Sequence, residues 1–248
     1  MRLARSLIFL PALGLGVALV VFALAAPHHR LKEDVVHRLP PMAVQTAVQA
    51  PAGEAETVVL AGGCFWGVQG VFAHVRGVRE AISGYAGGQA STADYESVSS
   101  GRTGHAESVK IVFDPHEITF AQVLQIFFSV ATDPTQLDQQ FPDQGPQYRS
   151  EIFYTSAAQK GAAAAYIAQL DRAGEFSHPI VTRLEPLRGF FQAEAYHQDY
   201  LVLHPNEPYI ASYDLPKVAA LQALFPEAWR AAPVLALGQP SSPAPILR

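Results

Sequence analysis

Cys64 is the single cysteine in a chain of 248 residues. No disulfide can close within one molecule. A structural zinc site built on several thiolates is excluded as well. The fold must therefore be held by a buried apolar core. The composition supplies one, with 49% hydrophobic and 16% charged residues, enough for one globular domain with tails. The net charge is −5, and no basic block is present to grip nucleic acid.

The chain divides by composition. Arg2 and Arg5 precede an uncharged apolar stretch, Ser6 to Ala26, whose core is Leu7 to Ala25. About 20 such residues span a bilayer as a helix, and the arginines favour an N-inside orientation. The stretch ends in Ala23-Leu24-Ala25, a small-residue pattern suited to signal cleavage. Residues 1–26 are thus expected to be a signal peptide or a membrane anchor. Both readings place the rest outside the cytoplasm, soluble after cleavage or anchored by residues 6–26. Residues 27–55, with Pro27, Pro40, Pro41 and Pro51 and no sustained period, read as a linker. Residues 226–248, with Pro240, Pro243 and Pro245, read as a flexible Pro/Ala-rich tail. The folded domain is expected at 56–225.

Within it, strands alternate with helices. Glu56 to Ala61 is a β-branched run stopped by Gly62-Gly63. Cys64 to Val75 carries apolar residues at helical spacing. Val78 to Tyr85 and Ser108 to Phe113 alternate as strands, and Thr119 to Val130 is helical. Tyr148 to Thr155 reads as a strand. Ser156 to Arg172 reads as a helix with Ser156 as N-cap. A strand at Ile180 to Leu187 and a helix at Ala193 to Leu203 complete the pattern. The class is α/β or α+β, with helices packed on a sheet.

Cys64 stands where a strand passes through two glycines into a helix. Helix-start N–H groups and the dipole favour an anion there, so its thiolate is expected to form more easily than in a free peptide. A reactive thiolate and an inert buried thiol both remain open at this point. Phe65 and Trp66 fit either an apolar pocket or plain core. Tyr95, Glu107, Asp143 and Tyr148 are donors and acids without an assigned place. Glu107, at a strand start among apolar neighbours, is either an acid of raised pKa or a solvent-facing carboxylate.

Taken together the motifs resemble the A-type peptide methionine sulfoxide reductases. The resemblance rests on Gly63-Cys64-Phe65-Trp66, Gly84-Tyr85-Ala86-Gly87-Gly88, Tyr95-Glu96-Ser97-Val98 and Thr103-Gly104-His105-Ala106-Glu107. It continues with Asp133-Pro134-Thr135, Asp143 through Gln147-Tyr148-Arg149-Ser150, and Ala193-Glu194-Ala195-Tyr196-His197-Gln198-Asp199-Tyr200-Leu201. It spans residues 56–205.

The resemblance implies a two-layer sandwich of a mixed sheet with packed helices on a ferredoxin-like core. It implies no metal and no organic cofactor. Cys64 would attack the sulfur of methionine sulfoxide, S epimer, in proteins, peptides or the free amino acid. Glu107 would protonate the departing oxygen, with the Tyr95 and Tyr148 hydroxyls bonded to it. Phe65 and Trp66 would hold the methyl group, and Asp143 the polar side. Cys64 would end as a sulfenic acid. Relatives often carry resolving cysteines near the C-terminus; residues 205–248 have none. An external thiol, small or on a thioredoxin-like protein, is therefore the expected reductant, and the chain is expected to work as a monomer. Thr132 and Phe141 stand where relatives often have His and Gly. Two other readings compete: a cysteine hydrolase using His105 or His197 as base, and a non-catalytic module that senses redox state or binds oxidised methionine.

Overall fold

The computed structural model describes residues 36–43 and 54–237; the expected signal or anchor at 1–26 lies outside the described residues. In chain order the elements are β1 (Glu56–Gly62), α1 (Phe65–Ala73), β2 (Val78–Ala86), α2 (Tyr95–Ser99), β3 (Ala106–Phe113), α3 (Phe120–Ile126), β4 (Gln139–Gln140), β5 (Asp143–Gln144), β6 (Ser150–Tyr154), α4 (Ala157–Ala173), β7 (Arg183–Pro186), β8 (Phe190–Gln192), α5 (Tyr200–Leu203) and α6 (Leu215–Leu224).

The main sheet runs β7-β6-β1-β3-β2-β8. Neighbours are antiparallel except β6 and β7, which are parallel and joined through α4. The central order β6-β1-β3-β2, with α1 between β1 and β2 and α3 between β3 and β6, is the split βαβ arrangement of a ferredoxin-like core. The mixed sheet with packed helices is as expected from the sequence.

Period-two alternation sorts the side chains. Val58 and Leu60 of β1 join Val109, Ile111 and Phe113 of β3 in the main core, under the buried residues of α1, α3 and α4. Val59 and Ala61 face the other way and meet Ala86, Ala106 and Phe153 in a smaller cluster. The helix ends follow local chemistry. The Thr119 hydroxyl and Gln122 amide form a reciprocal capping box on α3. The Ser156 hydroxyl accepts from the Gln159 amide to start α4, and Gly174, left-handed at φ +65°, ends it.

Several expected bounds are corrected. The helix read at Thr119–Val130 closes in a π turn, Phe127–Ala131. Tyr148 precedes its strand, in a 3-10 turn at Pro146–Tyr148. Only Arg183–Pro186 of the run Ile180–Leu187 pairs with β6. The helix read at Ala193–Leu203 is a 3-10 turn, Ala195–His197, a left-handed Asp199 and then α5. Gln198 interrupts it. Its buried amide accepts from the Ser83 N–H at 3.0 Å and donates to the Ser83 carbonyl at 2.9 Å, which draws extended backbone against β2.

Two segments outside the expected domain belong to it. Part of the region read as a linker, residues 36–43, lies on the helical layer. Leu39 and Met42 are buried, the Leu39 N–H donates to the Ser129 hydroxyl at 3.1 Å, and the Tyr166 hydroxyl donates to the Pro40 carbonyl at 2.7 Å. At the other end, residues 226–237 are not a free tail. The Arg76 N–H donates to the Ala228 carbonyl at 2.7 Å, and the Ala236 and Leu237 amides donate to the Asp199 carboxylate at 2.9 and 3.0 Å. Trp229 stacks on His74 at 4.6 Å and, with Val234, packs on the core, so side chains join the backbone bonds in holding the segment. Among the described residues no helix is long and apolar enough to cross a membrane.

Candidate active site

The end of β1 hands the chain to α1 through Gly62 and Gly63. Gly63 is at φ +95°, and a Cβ on it would stand 2.5 Å from Gln140 Cγ. Glycine is required on both counts. Gln140 is itself clamped, accepting from the Asp133 N–H at 2.8 Å and donating to the Asp133 carbonyl at 3.0 Å. The β4–β5 hairpin is thereby pressed onto Gly63, which brings Asp143 to the neighbourhood of Cys64. Cys64 takes the N-cap position of α1.

Strand register places the acid. Leu60 of β1 pairs with Val109 of β3, and Tyr85 of β2 with Glu107. Glu107 continues the inward row of Phe113, Ile111 and Val109, so its carboxyl enters the core end of the sheet beside the start of α1. It is 3% exposed, and its Oε2 accepts from the Phe65 N–H at 3.0 Å. That bond favours the carboxylate, but burial wins, with Asp143 and Asp214 adding to it. The pKa is pushed up to about 8. At neutral pH the group holds a proton it can give away.

The expectation of an easily formed thiolate is corrected. Burial, then the charges of Glu107 and Asp214, push the Cys64 thiol well above its ordinary value; the Trp66 backbone N–H and Lys217 oppose this without prevailing. The Trp66 amide at the helix start does favour the thiolate, but at 7% exposure desolvation outweighs it. The resting residue is a protonated thiol.

A cavity of about 200 Å³ is lined by Cys64, Phe65, Trp66, Tyr95, Glu107, Asp143, Tyr148 and Tyr209. All seven residues singled out from the sequence meet in it. The Tyr95 and Tyr148 hydroxyls are held protonated, their pKa values raised by burial and then by Glu107; both stay hydrogen-bond donors. Trp66 stacks on Tyr200 at 3.9 Å between centroids, and its indole N–H donates to His197 Nδ1 at 3.2 Å.

Sequence reasoning did not single out Tyr209, whose hydroxyl donates to the Asp143 carboxylate. Nor did it assign the supports. Glu194 accepts from the Tyr95 N–H at 3.0 Å and from the Tyr85 hydroxyl at 2.8 Å. The Arg149 guanidinium pairs with Glu151 at 2.6 Å and donates to the carbonyls of Gly104, His105 and Pro146. It fastens the loop before Glu107 to the turn that ends at Tyr148. Asp214 is fully buried, 3.2 Å from Lys217, and its Oδ1 lies 2.1 Å from where a Cβ on Gly67 would be. The motif Ala193–Leu201 was a signal for Glu194, and the motif ending Tyr148-Arg149-Ser150 for Arg149; Tyr209, Glu151 and Asp214 carried none.

The hydrolase reading loses its base. His105 accepts from the Gly88 N–H and sits by the Gln89 carbonyl, His197 accepts from Trp66, and neither lines the cavity. Among the described residues no His/Cys/Asp/Glu group could hold a metal ion. A buried nucleophile, a protonated carboxyl and two phenols around a small partly aromatic cavity suit removal of a polar atom from a compact, otherwise apolar group.

Comparison with known proteins points the same way. Residues 56–228 match the family described as peptide methionine sulfoxide reductase. A peptide methionine sulfoxide reductase MsrA 2 of Mesorhizobium japonicum is 57% identical over 182 residues, 73% of this chain and 93% of that protein. One of the same name from Synechocystis is 42% identical over 219 residues, 88% of this chain and 99% of the relative. Among solved structures, the reduced form of Mxr1 from Saccharomyces cerevisiae superposes with TM-score 0.56 at 30% identity, covering 65% of this chain and 92% of that one. Methionine sulfoxide reductase A of Corynebacterium diphtheriae gives TM-score 0.54 at 33% identity, covering 69% and 85%.

Proposed function

The chain belongs to the peptide methionine sulfoxide reductase family, and from that premise we propose how its site carries out the reduction. It is an oxidoreductase that returns methionine sulfoxide, S epimer, to methionine. Cys64 is the nucleophile, and Glu107, Tyr95 and Tyr148 act on the sulfoxide oxygen. Phe65 and Trp66 seat the methyl group, and Asp143, held by Tyr209, borders the polar side. The observation that carries this is the convergence of all these residues on one cavity of about 200 Å³.

The oxygen of a sulfoxide carries most of the negative charge, and the sulfur the positive. Donors already aimed at that oxygen stabilise its protonation. Cys64 Sγ bonds to the sulfoxide sulfur as Glu107 gives its proton to the oxygen, and the emptied carboxylate takes the thiol proton. The S–O bond breaks, the hydroxyl passes to Cys64, and methionine leaves. Methionine sulfur gains two electrons and Cys64 loses them, ending as a sulfenic acid. A first external thiol displaces water from it to give a mixed disulfide. A second restores Cys64 and departs as a disulfide. The absence of any other cysteine in the chain supports an external thiol, small or on a thioredoxin-like protein.

The proposed enzyme acts as a monomer. Arg2, Arg5 and the apolar run Leu7–Ala25 support a place outside the cytoplasm, with membrane contact only through that segment. The N-terminal residue of the mature protein tests this last point: a start near Ala26 indicates cleavage, and Met1 an anchor.

The decisive experiment is turnover of a peptide bearing methionine S-sulfoxide with dithiothreitol as reductant. Wild type turns over, Cys64→Ser does not, and dimedone labels Cys64 after one cycle without thiol. A wild-type protein that binds the peptide without reducing it establishes the binding-module reading instead.

A further inference from the structure

The cavity admits a methionine sulfoxide side chain and little more. When that residue belongs to a polypeptide, its neighbours must rest on the rim. One wall of the cavity continues outward as a ladder of rings. Tyr209 stands edge-on to Trp66 at 6.1 Å and 84°. Tyr213 packs on Tyr209 at 5.1 Å, and Phe141 stands edge-on to Tyr213 at 5.9 Å and 80°. Phe141 is 73% exposed, more than any other large hydrophobic among the described residues. Its backbone is fixed nonetheless. The Phe141 N–H donates to Gln136 Oε1 at 2.8 Å, and two residues on, Asp143 is held by Tyr209. From the same tryptophan a second run of rings leads through His197 to another exposed ring. Tyr196 is 61% exposed and lies 4.2 Å from His197, which packs against both Trp66 and Tyr95.

An aromatic ring held mostly in water contributes little to the fold. Rigid, exposed aromatics continuous with a binding cavity are the usual anchors of a polypeptide interface. Resting on the reductase reading above, we infer that Phe141 and Tyr196 form a divided landing surface for the residues on either side of an oxidised methionine. The preferred protein substrate is then a segment with apolar or aromatic flanks, such as local unfolding exposes.

Three substrates separate the possibilities: methionine S-sulfoxide blocked at both ends without flanking residues, a peptide with leucines beside it, and one with serines. Wild type should favour the leucine peptide. Phe141→Ala should reduce kcat/KM for that peptide about fivefold, through KM, as expected for loss of one aromatic contact. Tyr196→Ala should act in the same direction. The serine peptide and the blocked amino acid should respond to neither change. Equal losses on all three substrates, or no loss on the leucine peptide, overturn the inference. If wild type reduces none of them, the reductase reading falls, and this inference with it.

Discussion

The backbone amide of Phe65 donates a hydrogen bond to the carboxyl of Glu107 at 3.0 Å, so the acid is tied to the residue next to the nucleophile. Helix start and strand start are locked as one unit. Replacing the acid therefore tests chemistry rather than architecture, provided the replacement still accepts that bond.

Glu107→Gln keeps an acceptor oxygen and loses the proton. We expect kcat to fall about 10²–10⁴-fold, the usual contribution of a general acid, with KM little altered. In the wild type kcat should decline as pH rises past about 8, where Glu107 gives up its proton; the variant should lack that limb. A pH–rate profile at saturating peptide checks both, and full activity in the variant removes Glu107 from the mechanism.

Stability carries the same signature. The Glu107 pKa is raised in the folded protein, so the folded state binds more protons than the unfolded one between the ordinary carboxyl range and about 8. Stability is thus lost as pH rises through that window. Glu107→Gln removes the penalty. Its Tm relative to wild type should become more positive between pH 4 and pH 9, by thermal unfolding in matched buffers. A difference that stays constant with pH counts against a buried, proton-holding Glu107.

Asp214 and Lys217 set the charge behind Cys64. Asp214→Asn removes a carboxylate that opposes the thiolate, so the Cys64 pKa should fall and the thiol should alkylate faster at neutral pH. Ultraviolet absorbance of the thiolate against pH reads this directly, since the chain has no other cysteine. An unmoved titration means the pair is remote from Cys64 electrically.

Gly67 gives Asp214 its place. A methyl there would stand 2.1 Å from the carboxylate oxygen, so Gly67→Ala must displace the Asp214 side chain and its Lys217 partner. The expected cost is about 1–3 kcal/mol, typical of overpacking, or a Tm lower by about 2–4 °C for each kcal/mol. An unchanged Tm would show that the pair yields freely.

Much of this was legible in the sequence because it is local. A β-branched run revealed β1, alternating runs revealed β2 and β3, and the Ser156 cap marked the start of α4. Which way Glu107 points was left open by the sequence and is set by the pairing register of β3. Tyr209 was not legible: it reaches the cavity because α6 and the turn before it dock on α1, a long-range contact with no local pattern. Residues 226–237 were misread for a related reason. Their packing joins backbone hydrogen bonds to the end of α1 and to Asp199 with Trp229 and Val234 side chains on the core, which the Ala/Pro composition does not display. The thiolate expectation failed because a helix terminus is a local feature and desolvation is not.

Cys64, 7% exposed, opens onto the cavity that the substrate itself fills. One doorway thus serves both halves of the cycle. Methionine has to clear it before a reducing thiol can enter, so the two reactants take turns and crowd each other out at high concentration. Starved of thiol, each molecule halts after a single turnover with one oxygen atom aboard. The share of chains halted in this way becomes a running record of how much reductant its surroundings can supply.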